Sequence, residues 1–562
     1  MTLSPDATDP ALPRPAPAPE PGPLDDRFYD LVELRFRRLM RDNPVAATYL
    51  GVHAYDDQLG DGGRDAILGE IGADRDHLTA IEGLADEGLS PAVRFERDLE
   101  LHNVRRSIVE LDELRIWERR SLALDTIGDG LFLLFARDHA PLAERLEAMT
   151  GRLEAAPVYL EEARSRASRP QVRLWQRIEL QSAGQLPALF DEIVAAGRGV
   201  LGPAEGRRLE RAAAAATVAV DLHTTWVEAT LAAGTDDWAS GRELHDRLVA
   251  HRAFDGLDAD AILALGEQKL ADERAARAAA AREIDAEADV TEVVARVKAD
   301  HPTTFEEALE EYRAAMRRAR AHIVEHDLVS IPDDERIDVI ETPDYLRNVI
   351  PFAAYFSPEA FARDAKGIYV VTRSVSGDPN AMNEHNRASI SNTSIHEAYP
   401  GHHLQLDVAR RHPSLTRLLA DAPEFVEGWG MYSELMMREH GFDAGPEYRL
   451  MLHTDAIWRA CRIILDIRLH RGEIGVDEAV DFLIDQTGFE RDNARSEVEW
   501  YTYRPTYPLS YLLGRTLLLD LRAAERRRLG DGFLLRDFHD TLLRNGSLPI
   551  SFHRRLLTGE GA

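Results

Sequence analysis

The sequence contains a single cysteine, Cys461, in a chain of 562 residues. One thiol can form neither an intramolecular disulfide nor a thiolate cluster, which excludes a disulfide scaffold and a cysteine-based metal site. Any metal ligands must therefore be His, Asp or Glu side chains.

Long apolar runs and basic stretches are also lacking. No run of about 18 apolar residues occurs, so we expect no membrane-spanning helix. The 67 basic and 98 acidic residues leave a net charge of −31, which repels nucleic acid and anionic membrane surfaces. The first residues do not pair a basic segment with an apolar one, as a secretory signal does. These absences predict a cytoplasmic protein that binds neither nucleic acid nor membrane.

The chain divides by composition into a short tail and a long helical part. Residues 1–24 are rich in Pro and Ala and predict a disordered tail. Helical periodicity then dominates to the end, which predicts one helical domain over 25–562, with possible sub-domains 25–325 and 326–562. The Ala-rich stretch 205–285 predicts long antiparallel helices, with a coiled-coil interaction region as the alternative.

The periodicity changes between residues 328 and 395, where β-branched runs such as GIYVVT alternate with proline and turn residues. We predict a small β-hairpin or sheet there, directly before a histidine motif. An edge strand at this place suits a peptidase, because it can pair with an extended substrate backbone. The alternative is a hairpin that only covers the helices. The expected fold class is mainly α.

The histidine motif reads HEAYPGHHLQ from His396 onward. In the common HExxH zinc helix, two histidines four residues apart lie on one helical face. On a regular helix His402 would point about 120° away from His396. Pro400 predicts a kink or a wide bulge that absorbs two residues, because proline removes a helical hydrogen bond. His402 then becomes the second metal ligand, with His403 as the alternative.

A third ligand is expected from the segment APEFVEGWGMYSELMMREHG, which offers Glu424, Glu427 and Glu434. We favour Glu427, because a carboxylate beside Trp429 and two glycines is out of place on a solvated helix face and a buried carboxylate needs a cation. Glu434 is predicted to orient a histidine ligand, or to act as an alternative ligand. The simpler alternative is a set of surface carboxylates.

This ligand set predicts one zinc ion per chain, although two His and one Glu also bind other divalent ions. Glu397 would act as general base on a water molecule and pass its proton to the leaving amine. An oxyanion donor is expected from the later segment EVEWYTYRPTYPLSYLLGR, in which the candidates are Tyr501, Tyr503, Arg504, Tyr507, Tyr511 and Arg515. Tyr507 and Arg515 are assigned to substrate binding, and Arg373, after the GIYVVT run, to a substrate carboxylate.

The motifs HEAYPGHHLQ, EGWGMYSE and EVEWYTYRPTYPLSYLLGR, with the early segment NPVAATYLGVHAYDDQLGD, resemble the bacterial family called domain of unknown function 885. Its members are similar to zinc carboxypeptidases and oligopeptidases of the gluzincin type. The resemblance spans nearly the whole chain after residue 24. It implies a mainly α fold with a deep cleft, a zinc ion on His396, His402 and Glu427, and Glu397 as general base.

The chain departs from the family pattern at one place. Members carry Pro-Gly-Gln before a tyrosine, whereas this chain reads Pro505-Thr506-Tyr507 and reaches Tyr511 later. Tyr511 keeps its family position, so the resemblance implies that it stabilises the oxyanion. The neighbouring substrate pocket is expected to differ from that of other members.

The sequence therefore predicts a zinc-dependent hydrolase of short peptides, acting as a carboxypeptidase, dipeptidase or oligopeptidase. One alternative is an inactive metal- or peptide-binding protein of the same fold. Another is a metal-dependent amidase or esterase with a non-peptide substrate. Glu397 favours an enzyme, because a binding protein has no need of a carboxylate beside its first ligand.

Overall fold

The computed structural model describes residues 12–343, 347, 350, 353–362, 365–373 and 381–559. Within these residues the protein is mainly α-helical with one small sheet, so the predicted fold class is confirmed. None of the described helices is both long and apolar enough to cross a membrane. The chain forms two compact units, which divide between Trp238 and Ala239.

The first unit comprises the residues up to Trp238 and two short later segments, 359–365 and 413–415. Its helices are α1 (Asp25–Asp42), α2 (Pro44–Leu50), α3 (Arg64–Glu82), α4 (Pro91–Ile108), α5 (Ala123–Ala136), α6 (Leu142–Arg164), α7 (Arg173–Ala183), α8 (Leu186–Gly197) and α9 (Pro203–Leu231). The long helix α9 packs against α6 and α8.

Only part of the predicted N-terminal tail is described. Residues 1–11 lie outside the described residues, and 12–24 contain neither helix nor strand. Arg14 nevertheless forms ion pairs with Asp30 and Glu33 of α1 at 2.6 and 3.0 Å. The described part of the tail is thus attached to the first helix.

The remaining helices follow residue 238. They are α10 (Arg242–His251), α11 (Ala259–Ile284), α12 (Val290–Lys298), α13 (Phe305–Glu325), α14 (Arg387–Glu397), α15 (His402–Ala409), α16 (Leu415–Leu418), α17 (Pro423–Glu439), α18 (Pro446–His470), α19 (Val476–Thr487), α20 (Arg491–Tyr503), α21 (Ser510–Leu529), α22 (Leu535–Arg544) and α23 (Ile550–Thr558). The short 3₁₀ and π segments are His53–Tyr55, Asp86–Gly88, Val109–Leu114, Ile116–Glu118, Ala381–His385 and Gly530–Gly532.

The sheet of the second unit has three strands, β1 (Ile337–Glu341), β2 (Ala353–Phe356) and β3 (Gly367–Val371), in the order β1-β3-β2. The central strand β3 is buried at every position, as its run of Ile, Tyr and Val predicts. It pairs in parallel with β1 and antiparallel with β2. The predicted hairpin or sheet is therefore a mixed sheet with β2 at one edge.

The apolar core of the second unit surrounds α17, whose Phe425, Trp429 and Tyr432 are fully buried. Helix α17 packs closely on α21 at a pair of glycines. A methyl group on Gly428 would come within 2.5 Å of the Gly514 backbone, so both positions require glycine. This close approach fixes the position of Glu427, which precedes Gly428 in the chain.

Candidate metal centre

The histidine motif does not form one continuous helix. Helix α14 ends at Glu397 and α15 begins at His402, whereas we predicted a kink or bulge within a single helix. The Gly401 amide donates to the carbonyl of Ile395, six residues back, and the Trp429 indole donates to the carbonyl of Pro400 at 2.7 Å. Because proline cannot continue the hydrogen-bond ladder, the interruption frees His402 from the helical phase of α14.

The interruption brings two imidazoles and one carboxylate together. Nε2 of His396 lies 3.7 Å from Oε2 of Glu427, and Nε2 of His402 lies 3.5 Å from the same oxygen. Zinc bonds to nitrogen and oxygen are about 2.0–2.2 Å long, which places neighbouring tetrahedral ligands about 3.4 Å apart. The three side chains therefore fit the coordination of one divalent ion.

Two glycines make room for this arrangement. A methyl group on Gly430 would lie 2.6 Å from the His396 ring. A methyl group on Gly401 would overlap the carbonyl oxygen of His396. The glycines of the EGWGMY and PGHH motifs thus permit the close approach that places both histidines beside Glu427.

Glu434 and His403, the alternative ligands, have other partners. Oε1 of Glu434 lies 2.7 Å from Nδ1 of His396, on the side of the ring away from Glu427. His403 lies 2.9 Å from Glu335 through Nε2 and 2.9 Å from the Tyr355 hydroxyl through Nδ1. Glu434 is thus placed to orient His396, while His403 links α15 to strand β2.

The electrostatics of the cluster favour positive charge among the carboxylates. Burial raises the pKa of Glu427, but the neighbouring imidazoles of His396 and His402 outweigh it and hold that pKa well below its usual value. Burial lowers the pKa of His396, but Glu427 and Glu434 outweigh it and raise the pKa to about 10. A site that stabilises an imidazolium in this way also suits a bound cation.

Glu397 lies next to the donor atoms and faces a cavity of about 340 Å³. One ligand atom each from His396, Glu397 and His402 lies within 4.8 Å of the others. The cavity is lined by Ala353, Ala354, Tyr355, Asn392, Thr393, His396, Glu397, His402, Glu427, Glu434, Asp455, Trp458, Arg459, Arg462 and Tyr511. The donors and the carboxylate predicted as general base therefore open into one space.

The other predicted residues divide into those near the cavity and those engaged elsewhere. Tyr511 lines the cavity, and the Tyr507 hydroxyl donates to Oε1 of Glu427 at 3.0 Å. Arg373 is bound by Glu341 and Glu306. Arg515 is buried and paired with Glu273. The structure thus places neither arginine in the lining of this cavity, and Tyr507 contacts the candidate ligand Glu427. The assignment of these three residues to substrate binding stays a prediction.

Sequence reasoning missed the wall of the cavity that α18 provides. Trp458 and Arg459 lie three and four residues after Asp455, and Arg462 follows them by four and three, so that all four line the cavity from one side of the helix. The sequence signal was present in AIWRACRIILDI, since an apolar helix that buries two arginines needs acceptors for both.

The first unit contains a second histidine–carboxylate cluster. Oδ2 of Asp56 lies 2.8 Å from Nδ1 of His53 and 3.4 Å from Nε2 of His139. The two imidazole rings stack with centroids 3.9 Å apart and planes inclined by 6°. Because a metal–nitrogen bond lies close to the imidazole plane, two stacked parallel rings cannot both point at one ion. Glu359 and Arg137, 3.6 Å apart, complete what we interpret as a charge network.

The family model described as "Bacterial protein of unknown function (DUF885)" matches residues 44–557. The chain belongs to this family. No significant match was found among curated proteins. The similarity of DUF885 members to gluzincin peptidases stays a prediction.

Two solved structures share the fold of this DUF885 member. A "putative lipoprotein of unknown function" from Shewanella oneidensis aligns with a TM-score of 0.78 and 20% identity, over 94% of this chain and 99% of that one. A "putative lipoprotein" from Colwellia psychrerythraea aligns with a TM-score of 0.81 and 18% identity, over 95% and 98%. At such identities the likeness defines the fold alone.

Proposed function

We propose that the second unit is a zinc-dependent hydrolase that cleaves peptide bonds of short peptides. The observation that carries the proposal is the convergence of His396, His402 and Glu427, at distances suited to one ion, beside the carboxylate of Glu397. A divalent ion held by these three residues supplies positive charge that polarises a substrate carbonyl and makes water more acidic.

The residues around the donors have distinct roles in this proposal. Glu397 accepts a proton from the attacking water and delivers it to the leaving amine. Glu434 and Tyr507 hold His396 and Glu427 through hydrogen bonds of 2.7 and 3.0 Å. Tyr511 is assigned to the negative charge that develops on the carbonyl oxygen, because it lines the same cavity.

Strand β2 supports a peptide as the substrate. It forms an edge of the sheet, and three of its residues, Ala353, Ala354 and Tyr355, line the cavity. Within the described residues no strand pairs with its second edge. An extended peptide can therefore add to β2 through main-chain hydrogen bonds. The link from Tyr355 to His403 holds this strand against the metal-binding segment.

The proposal is tested by metal content and turnover measured on the same protein. We expect about one zinc per chain in the parent by elemental mass spectrometry, and much less in His396→Ala and Glu427→Ala. We expect Glu397→Gln to keep its zinc and to lose hydrolysis of a short-peptide mixture by at least about 100-fold. A zinc-loaded parent that leaves every peptide intact but hydrolyses simple amides or esters would redirect the proposal to a non-peptide substrate. Zinc binding without any hydrolysis would favour a binding protein.

A further inference from the structure

Arg459 occupies an unusual position on the cavity wall. It belongs to α18, its side chain is 16% exposed, and its guanidinium carbon lies 3.7 Å above the centre of the Trp458 ring. Stacking on an aromatic face fixes the plane of a guanidinium while leaving its N–H groups free for in-plane hydrogen bonds. The cavity thus contains a rigidly held planar cation.

Two nitrogens of this guanidinium lack a hydrogen-bond partner among the described residues. They are the buried Nε and Nη1 atoms of Arg459. Asp455 approaches Nη1 only to 3.9 Å, which is beyond hydrogen-bond range. A buried N–H without an acceptor costs free energy, so a ligand that offers acceptors to these two nitrogens would be stabilised.

The neighbouring arginine of the same cavity, in contrast, has its guanidinium hydrogen-bonded to a carboxylate of the protein. Glu497 binds Arg462 through contacts of 2.9, 3.1 and 3.2 Å. The Arg462 guanidinium also faces the rings of Trp458 and Tyr511, each 4.4 Å away. Arg462 is therefore hydrogen-bonded to a carboxylate of the protein, whereas Arg459 pairs with Asp455 only at 3.9 Å and keeps N–H groups for a ligand.

We propose that Arg459 binds the terminal carboxylate of the peptide, so that the enzyme removes residues from the C-terminus. This inference rests on the proposed peptidase function. A carboxylate presents two oxygens in one plane and matches the guanidinium fork, whereas a mid-chain peptide group presents one neutral carbonyl. Since Arg459 and Glu397 line the same cavity, an anchored terminus keeps the last peptide bonds close to the general base.

The test compares three peptides with zinc-loaded protein, of which the first two share one sequence. One ends in a free carboxylate, one in an amide, and one in an amide with a glutamate side chain at the last position. We expect kcat/KM to be roughly ten- to hundred-fold higher for the free acid, the range of a charge-assisted hydrogen bond. Mass spectrometry should show release of residues from the C-terminus.

Variants of Arg459 test whether this residue causes the preference for a free C-terminal carboxylate. Arg459→Ala should remove the difference in kcat/KM between the free acid and the amide of the same sequence, while Arg459→Lys should retain part of the preference. Arg468→Ala is the matched control, because Arg468 lies on the same helix in an exposed pair with Glu267. Melting temperatures of all variants within a few degrees of the parent would show that loss of the preference is not loss of folding.

The outcomes separate the two proposals. Equal cleavage of free-acid and amide peptides would overturn the role of Arg459 and leave the peptidase proposal standing. Equal rates for the free acid and the glutamate-bearing amide would assign Arg459 to acidic side chains and overturn the terminal specificity. If no peptide is cleaved, the removal of C-terminal residues is overturned, and calorimetry with zinc-loaded Glu397→Gln decides the contact itself. Equal affinity for free acid and amide overturns the role of Arg459, and tighter binding of the acid supports it.

Discussion

Replacement of Glu434 tests how the candidate centre is held together. The Glu434 carboxylate is 4% exposed and lies 2.7 Å from Nδ1 of His396. If Nε2 of His396 binds the metal, Nδ1 carries the proton and donates it to this carboxylate. Loss of such a partner weakens metal binding by about 10- to 100-fold, or about 1.4 to 2.7 kcal/mol. We expect Glu434→Gln near the lower limit, because the amide oxygen still accepts, and Glu434→Ala near the upper.

Competition of each variant with a chromophoric zinc chelator measures these affinities. Glu439→Gln is the matched control, since Glu439 lies on the same helix but forms an exposed pair with Arg522 and should leave zinc affinity within about twofold. Unchanged affinity in Glu434→Ala would refute the orienting role. A loss as complete as in Glu427→Ala would instead make Glu434 a ligand itself.

Three further predictions concern packing, burial and pH. Gly430→Ala should reduce zinc content while the circular dichroism spectrum stays helical, because the added methyl lies 2.6 Å from the His396 ring. Arg152→Met should lower the free energy of unfolding by about 1 to 3 kcal/mol in urea titrations, since buried Arg152 donates to the carbonyls of Gln58 and Gly130; Arg208→Met, which removes an exposed pair with Glu154, is its control. Burial lowers the pKa of His53, but the carboxylates of Asp56 and Glu359 outweigh this effect and raise the pKa from 6.5 to about 9. The stabilisation of the folded state by protonated His53 is therefore complete below about pH 6.5 and is lost as the pH rises through 9. The urea midpoint should fall over this pH window, and it should fall less in His53→Gln.

The class of the fold was predictable because helical periodicity and the β-branched run GIYVVT are local signals. The helices and strands against which each element packs were not predictable from such signals. Segment 205–285 does contain long helices, but α9 packs on α6 and α8 within the first unit, whereas α11 packs along α18 in the second. Strand β2 was missed as a separate strand, because AAYF is short and lacks the β-branched residues that mark β3.

The candidate ligands could be inferred from local sequence, because His396 and Glu427 are metal-ligating residue types and Pro400 marks an interruption of the helix. The surrounding contacts depend on long-range packing that no motif encodes. Arg373 is assigned to a substrate carboxylate from its place after a strand, and its ion pairs with Glu306 and Glu341 have no local sequence signal. Arg459 lies in an apolar helix and matches no motif, and only the structure shows that its Nε and Nη1 atoms lack acceptors among the described residues.

The interruption between α14 and α15 also affects how such sites are found. In a continuous helix the turn of 3.6 residues dictates the spacing of two ligands, and search patterns are built on that number. Here the candidate ligands His396 and His402 lie six positions apart on separate helices, and the connecting loop sets their separation. Patterns that require helical spacing would pass over a site of this kind, whereas a search for two histidines that share one glutamate oxygen in space would detect it.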